Sequence, residues 1–364
     1  MENVKSKKFG PSMNGVLRQC FVSVSAVIAA ILLGMVLILL MGQNPIVAFG
    51  ALLEGAFGSA NSFAETLVKV TPLLFTGMSY ALANRCGLTN LGMEGQMYMG
   101  ALTAAAVGIY VDVPAVLHIP LCILAGFVGG GLWGLLAGWL KVQFGASEII
   151  TTVMLNTIAI YFIEFMVTDP ARMMEPGGVS GQSNPLLESA RLDILLPNTR
   201  AHWGIIVGLV CVVLFWLFLW RSKKGYEVRV SGFNMQAAAY SGINTSRNIL
   251  LVMLLSGGVA GLAGACEVMG VQGRLYALFS PGYGYDGIAV ALIGLNSPLG
   301  IVFGALLFGA FRAGGNRMQM KAYVPFSIVE VIQAIVIIAV VASQMLLEIW
   351  NERQLRNQSK QQEA

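Results

Sequence analysis

Asn90, Glu94, Gln96 and Asn156 in the first half of this sequence, and Tyr285, Asp286 and Asn296 in the second, bring hydrogen-bonding and ionic side chains into or beside long apolar runs. Carboxamides and a phenol both donate and accept hydrogen bonds, so as a set these residues suit a neutral, polyhydroxylated or heterocyclic solute. Taken singly, each also reads as a bond between neighbouring helices. Catalysis has less to draw on. His118 and His202 are the only histidines and lie far apart in the sequence, which leaves little for a histidine-rich zinc cluster or a Ser-His-Asp arrangement. Cys20, Cys86, Cys122, Cys211 and Cys266 are odd in number and scattered singly, so neither a disulfide framework nor a CxxC metal site is supported. The expectation is no catalytic residue, no metal and no cofactor held by this chain.

Composition names the medium in which those side chains must be positioned. With 56% hydrophobic residues, 11% charged and a mean hydropathy of +0.73, the 364 residues carry more apolar surface than a soluble interior can absorb. The solvent must be a bilayer. Several runs approach the ~20 residues that a helix needs to cross ~30 Å of hydrocarbon, and nothing shows the strand alternation of an outer-membrane barrel. The fold class expected is an all-α polytopic membrane protein, with spans near 21–42, 62–84, 92–112, 115–140, 147–167, 204–220, 248–271, 284–295, 299–312 and 326–347. The first run lacks a small-x-small cleavage site and reads as a retained span. Glu65, Lys69, Glu148, Glu164, Glu267 and Glu330 fall mostly near span ends, where a charge avoids the ~2.5–3.5 kcal/mol cost of the bilayer centre. The lack of a buried titratable relay counts against proton or sodium coupling.

Basic residues orient the chain. They concentrate in a tail at 1–20, in 221–247 and in a tail at 348–364, which places all three in the cytosol. The net charge of +4 sits at loop ends, with no basic stripe for nucleic acid. Residues 168–203 form a long outer loop in the 21–347 membrane domain, a cap or docking surface by one reading and a solvated connector by the favoured one. The stretch 284–312 stays open between one kinked span and two shorter ones, because Gly294-Leu295-Asn296-Ser297-Pro298 interrupts it. One span would move the C-terminus outside.

Glycine spacing bears on packing and on symmetry. Gly126, Gly130, Gly134 and Gly138 line one face of the fourth span, as Gly257, Gly261 and Ala265 do in the seventh, and such faces allow close backbone approach. Gly92-Met93-Glu94-Gly95 and Gly284-Tyr285-Asp286-Gly287 open two spans expected to start from opposite sides, as two inverted halves of five helices would. A carboxylate beside glycine is also simply a good helix start. Gly282 to Gly287 satisfies GxGxxG, but no strand precedes it, so the dinucleotide-binding geometry is missing. Leu255-Ser256-Gly257-Gly258 copies an ATPase signature inside an apolar span that no nucleotide could reach. No GxxxxGK[ST] occurs, so any ATP that drives this protein must be bound by another chain.

Residues 225–247 are polar, basic and helix-prone between two apolar spans, and look made to touch another protein. Three further stretches carry a resemblance. Gly145-Ala146-Ser147-Glu148-Ile149-Ile150-Thr151-Thr152-Val153-Met154-Leu155-Asn156 resembles the GxNEVxxTxMLN stretch of bacterial ABC-importer permeases, in the nucleoside branch of the branched-amino-acid, ribose and nucleoside permease family. Asn90-Leu91-Gly92-Met93-Glu94-Gly95-Gln96-Met97 is similar to that branch's N-(I/L)-G-x-E-G-Q-M element, and residues 288–300 add a third match. Ser147 stands where the family has Asn.

The resemblance implies a permease subunit in a bacterial cytoplasmic membrane, forming the path for a nucleoside or nucleobase, with a simple sugar second. It implies a second, non-identical permease, two ATPase domains that bind ATP and an extracytoplasmic solute-binding protein. Gln236-Ala237-Ala238-x-x-x-Gly242 resembles the EAA-x-x-x-G loop that seats in a groove of the ATPase, so Gln236, Ala237, Ala238, Gly242 and Asn244 are implied at the coupling contact. Without the family, the same residues read as a solvated helix and turn. A self-sufficient carrier is the competing class.

Overall fold

The computed structural model describes residues 13–177 and 181–363. Among them are α1 (Met13–Leu40), α2 (Pro45–Phe57), α3 (Ala60–Arg85), α4 (Met93–Tyr110), α5 (Ala115–Phe144), α6 (Glu148–Val167), α7 (Gly204–Arg221), α8 (Lys223–Phe233), α9 (Met235–Tyr240), α10 (Thr245–Glu267), α11 (Tyr283–Ile293), α12 (Pro298–Ala322) and α13 (Phe326–Glu363). A π-helical turn, Val268–Gln272, extends α10. Pairing outside helices is limited, among these residues, to isolated bridges such as Met174↔Ser183 and Gln182↔Tyr276. The helices start and stop where local chemistry says they should. Asn44 caps α2 through Ile46 N and Val47 N with Pro45 next, Ser297 caps α12 before Pro298, and Gly145 ends α5 at φ 67°.

Seven described stretches are long and apolar enough to cross a membrane: α3, α5, α6, α7, α10 with its π turn, α12 and residues 326–343 of α13. Each expected span corresponds to a helix, with two corrections. First, α11 has eleven residues, about 16 Å at 1.5 Å per residue, which is too short to cross alone. Second, α12 runs on to Ala322, ten residues past the expected end. The basic residues of its second half find counter-charges on other helices: Arg312 pairs with Asp286 at 2.6 Å in a largely covered site, and the more exposed Arg317 and Lys321 both pair with Glu54 at 2.5 Å. Their partner Glu54 lies on α2, a thirteen-residue helix that span-length reasoning passed over.

α10 runs through the middle, packed by α3, α4 and α5. Glycine makes this possible. A Cβ on Gly261 would strike Gly126 O and lie 3.0 Å from Gly130 Cα, one on Gly130 would strike Gly257 O, and one on Gly100 of α4 would strike Gly261 Cα. Three backbones therefore touch at one level, with no side chain between them. The expected glycine faces of the fourth and seventh spans meet each other here.

The bundle has two distinguishable ends. One carries α8 and α9, the polar island. The other carries the described residues of 168–203, which form a packed cap, the less favoured of the two sequence readings, in place of a solvated connector. Met173, Leu186, Ala190, Leu192 and His202 are buried, Leu187 N donates to Gly108 O, Leu192 N to Met269 O and Ser183 N to Leu275 O, and Arg274 pairs with Glu175 at 2.9 Å. Polar composition misled because several of these contacts are backbone hydrogen bonds, which leave no trace in side-chain type.

Candidate functional site

Two helices begin inside the bundle instead of at its surface. After α3, Gly87 turns the chain at φ 77° and residues 88–92 run without helical bonds into α4. After the π turn, residues 273–282 descend in the same way into α11. The starts of α4 and α11 then meet: Gly284 N donates to Glu94 Oε2 at 2.6 Å, and a Cβ on Gly284 would strike Glu94 N. Glu94 is 4% exposed, and its carboxylate sits where the N-terminal dipole of α11 favours negative charge. The two GxxG-like elements that echo each other in sequence are thus in contact.

Around this junction lies a buried polar network. Asn90 Nδ2 donates to Gln96 Oε1 at 3.0 Å and to Ser256 Oγ at 2.8 Å, while Asn90 Oδ1 accepts from Gly92 N at 2.8 Å. Ser256 Oγ donates to Ser79 O at 2.8 Å, tying α10 to α3. Asn156 of α6 accepts from Gly95 N at 2.8 Å and donates to Leu91 O at 2.8 Å and to Tyr285 Oη at 3.2 Å. Thr152 Oγ1 accepts from Leu91 N at 3.3 Å. These side chains supply the backbone partners that the non-helical entry to α4 lacks, which is required where no water can.

The seven expected path residues therefore divide. Asn90, Glu94, Gln96 and Asn156 are buried and bonded to protein groups. Tyr285 joins them but is 48% exposed, and with Ile288 and Leu292 it forms one face of α11 at helical spacing. Asp286 points the other way, held by Arg312 Nε at 2.6 Å. Asn296 is far from the junction, at the island end, where its Nδ2 donates to Asn84 Oδ1 at 2.9 Å. Ser79, Thr152, Ser256 and Arg312 are neighbours of these residues that the sequence reading did not single out. Thr152 and Ser256 had left a signal, the first within the Gly145–Asn156 motif and the second within the dismissed Leu-Ser-Gly-Gly run. Among the described residues, no three His, Cys, Asp or Glu side chains gather as a metal site.

Replacing Asn156 by leucine is expected to strand Gly95 N and Leu91 O without partners. Each costs ~1–3 kcal/mol when buried. The purified variant should melt several degrees lower in a detergent thermal-shift assay, and an unchanged midpoint would show that water or a neighbour replaces the carboxamide.

The island is seated as firmly as it is exposed. A Cβ on Gly225 would strike Phe218 O of α7, one on Gly232 would strike Arg85 O of α3, and Asn248 Nδ2 of α10 donates to Ser231 Oγ at 3.2 Å. From this base α9 projects outward. Asn234 caps it through Gln236 N and Ala237 N. Ile243 N donates to Ala238 O and Gly242 N to Ala239 O, a Schellman ending with Gly242 at φ 80°. Gln236 and Ala237 are exposed, Ala238 is buried against the base, and Phe233 and Tyr240 are 91% and 94% exposed. Asn244 is occupied with capping α10 through Arg247 N at 2.9 Å.

The half-exposed Tyr285 ring on α11 and the protruding, firmly based α9 at one end are the parts of this geometry that stand open to other molecules. Residues 62–341 match the family described as branched-chain amino acid transport system permease component. The chain is 36% identical to the guanosine ABC transporter permease protein NupP of Bacillus subtilis over 90% of its own length and 94% of that protein's. It is 33% identical to the nucleoside ABC transporter permease protein NupB of Lactococcus lactis, covering 93% and 94% of the two chains. It is also 33% identical to the glucose ABC transporter permease protein TsgB13 of Haloferax volcanii, covering 88% and 87%. A family match over most of the chain, with relatives at this identity along nearly their whole length, makes this protein a member of the branched-chain amino acid transport system permease component family.

Proposed function

We propose that this chain is the membrane-spanning permease subunit of an ATP-driven importer whose solute is a nucleoside. The observation that carries the solute class is the half-exposed Tyr285 ring, backed by the Asn156 carboxamide and continued by Ile288 and Leu292. An aromatic face stacks a heterocyclic base, while a carboxamide and a phenol offer hydrogen bonds. Guanosine and nucleoside permeases among the relatives support that solute; the glucose permease supports a sugar as the second reading.

Tyr285 lies half exposed on one chain, and a second, non-identical permease closes the path. α9 is the coupling helix for an ATPase subunit, and an extracytoplasmic solute-binding protein delivers solute to the capped end. In the bacterial cytoplasmic membrane the island faces the cytosol together with both termini. Supporting this, α12 starts beside the Asn84–Asn296 contact at the island end, ends at the other, and α13 returns along α1. The full arrangement is ten membrane-embedded helices in two inverted halves, with α4 and α11 as counterparts. Their start-to-start contact is what such halves produce.

The test is uptake of labelled guanosine in vesicles holding this permease with its ATPase, second permease and binding protein. Guanosine uptake that unlabelled nucleosides compete and glucose does not is expected. Tyr285→Ala should lower it about tenfold, since stacking on an aromatic ring contributes ~1–3 kcal/mol per base. Transport by the permease alone, without ATPase, would establish a self-sufficient carrier instead.

A further inference from the structure

At the island end, a cavity of about 250 Å³ lies between the end of α3, α7, α8 and the turn after α11, lined by Asn84, Arg85, Trp220, Arg229, Gly232 and Asn296 among others. Its charge is unbalanced. The guanidinium carbons of Arg85 and Arg229 stand 5.6 and 5.9 Å from the centre of the same Trp220 ring. Neither arginine forms an ion pair with any described carboxylate, and the acid nearest in sequence, Glu227, is taken by Lys224 at 2.7 Å. Arg85 spends Nε and one Nη on the carbonyls of Leu295 and Asn296, at 3.0 to 3.1 Å, and keeps the other Nη free. Among the described residues Arg229 has no hydrogen-bond partner, and its Nε is buried. Asn296 Oδ1 is likewise buried and unpaired. Two cations beside one ring, with unpaired donors and one unpaired acceptor, make this a positively charged, polar recess.

The geometry points to a phosphate ester with an adjacent hydroxyl, the phosphate held between Arg85 and Arg229 and the hydroxyl donating to Asn296 Oδ1. Guanidinium forks match phosphate oxygens with charge-assisted bonds. The source favoured is an anionic phospholipid headgroup, phosphatidylglycerol being the simplest that offers both groups. The depth argues for it: Trp216 and Trp220 close α7, with Arg221 stacked on Trp216 at 5.5 Å, as at the interfacial aromatic belt. Basic pockets between spans on the cytosolic side take lipid headgroups. Such a ligand would tie α8, which carries the projecting α9, to the end of α3.

The test does not depend on the solute. The permease–ATPase complex, stripped of lipid in detergent, is titrated with phosphatidylglycerol or phosphatidylcholine and followed by native mass spectrometry, with inorganic phosphate and GMP as competitors. Preferential retention of phosphatidylglycerol is expected, weakened about fivefold by Arg229→Gln, which is the ~1 kcal/mol contributed by one basic side chain at an anionic surface. Arg229→Lys keeps the charge without the fork and should fall between, which reads the site even if the glutamine variant folds poorly. Displacement by GMP or phosphate would support the same site with a soluble source. Equal retention in all three proteins with no effect of either competitor would overturn the proposal. So would retention that appears only once the ATPase is removed, because an acidic side chain of that subunit would then be the natural occupant.

Discussion

Gly261→Leu is expected to leave almost no folded permease in the membrane. Gly261 sits where α4, α5 and α10 touch backbone to backbone, and even a single added carbon would strike Gly126 O while lying 3.0 Å from Gly130 Cα. Overpacking a core ordinarily costs ~1–3 kcal/mol when side chains can shift. Here the obstacles are main-chain atoms of α5, which Gly130 holds against Gly257, while Gly100 brings α4 against the same crossing at Gly261. Relief requires two helices to separate, and that would also open the hydrogen bonds from Asn90 to Ser256 and from Ser256 to Ser79. Membrane yield and a monodisperse size-exclusion peak are the readouts. Gly50→Leu is the control, since Gly50 is exposed and a Cβ there meets nothing within 4 Å; it should be obtained at wild-type yield. Equal recovery of both variants would mean that the glycine crossing is looser than its contacts require.

That crossing was legible in part. A glycine every fourth residue marks a face for close approach, and both faces were identified from spacing alone; what spacing could not say is which face meets which, or that Gly100 completes the contact from α4. Polar residues show the same division. Asn90, Gln96 and Asn156 were recognisable as polar groups in apolar surroundings, but side-chain type does not distinguish a solute ligand from a partner for a broken backbone. The distinction depends on whether the neighbouring main chain is helical, and residues 88–92 lose their helix through a turn at Gly87 that composition does not announce. The end of α12 was not legible for a related reason: the charges of Arg312, Arg317 and Lys321 are answered by Asp286 and Glu54 on other helices, and sequence does not show which counter-charge a basic residue meets. The permease family, by contrast, was visible in three short motifs, and the match over residues 62–341 bears that resemblance out.

Gly242→Trp should produce the opposite phenotype: a protein that folds, inserts and does not transport. Gly242 adopts φ 80° in an exposed Schellman ending, and a Cβ there meets nothing within 4 Å. The intrinsic penalty for an L-residue in the left-handed region is ~1–2 kcal/mol, small enough for a bundle held by the glycine crossing and confined to the tip of α9. What the indole changes is the outer shape of α9, next to the exposed Gln236 and Ala237 and beyond the rigid seat that Gly225 and Gly232 give to α8. A lever is useful only if its tip fits its driver. Membrane yield and thermal midpoint should stay near wild type, while ATP-driven uptake in vesicles falls to background and solute no longer stimulates ATP hydrolysis. Gly242→Ala, which shares the backbone strain but adds little bulk, should retain a substantial part of the uptake and so separate strain from shape. Normal uptake in the tryptophan variant would remove α9 as the point at which the ATPase acts and return the island to a solvated helix and turn.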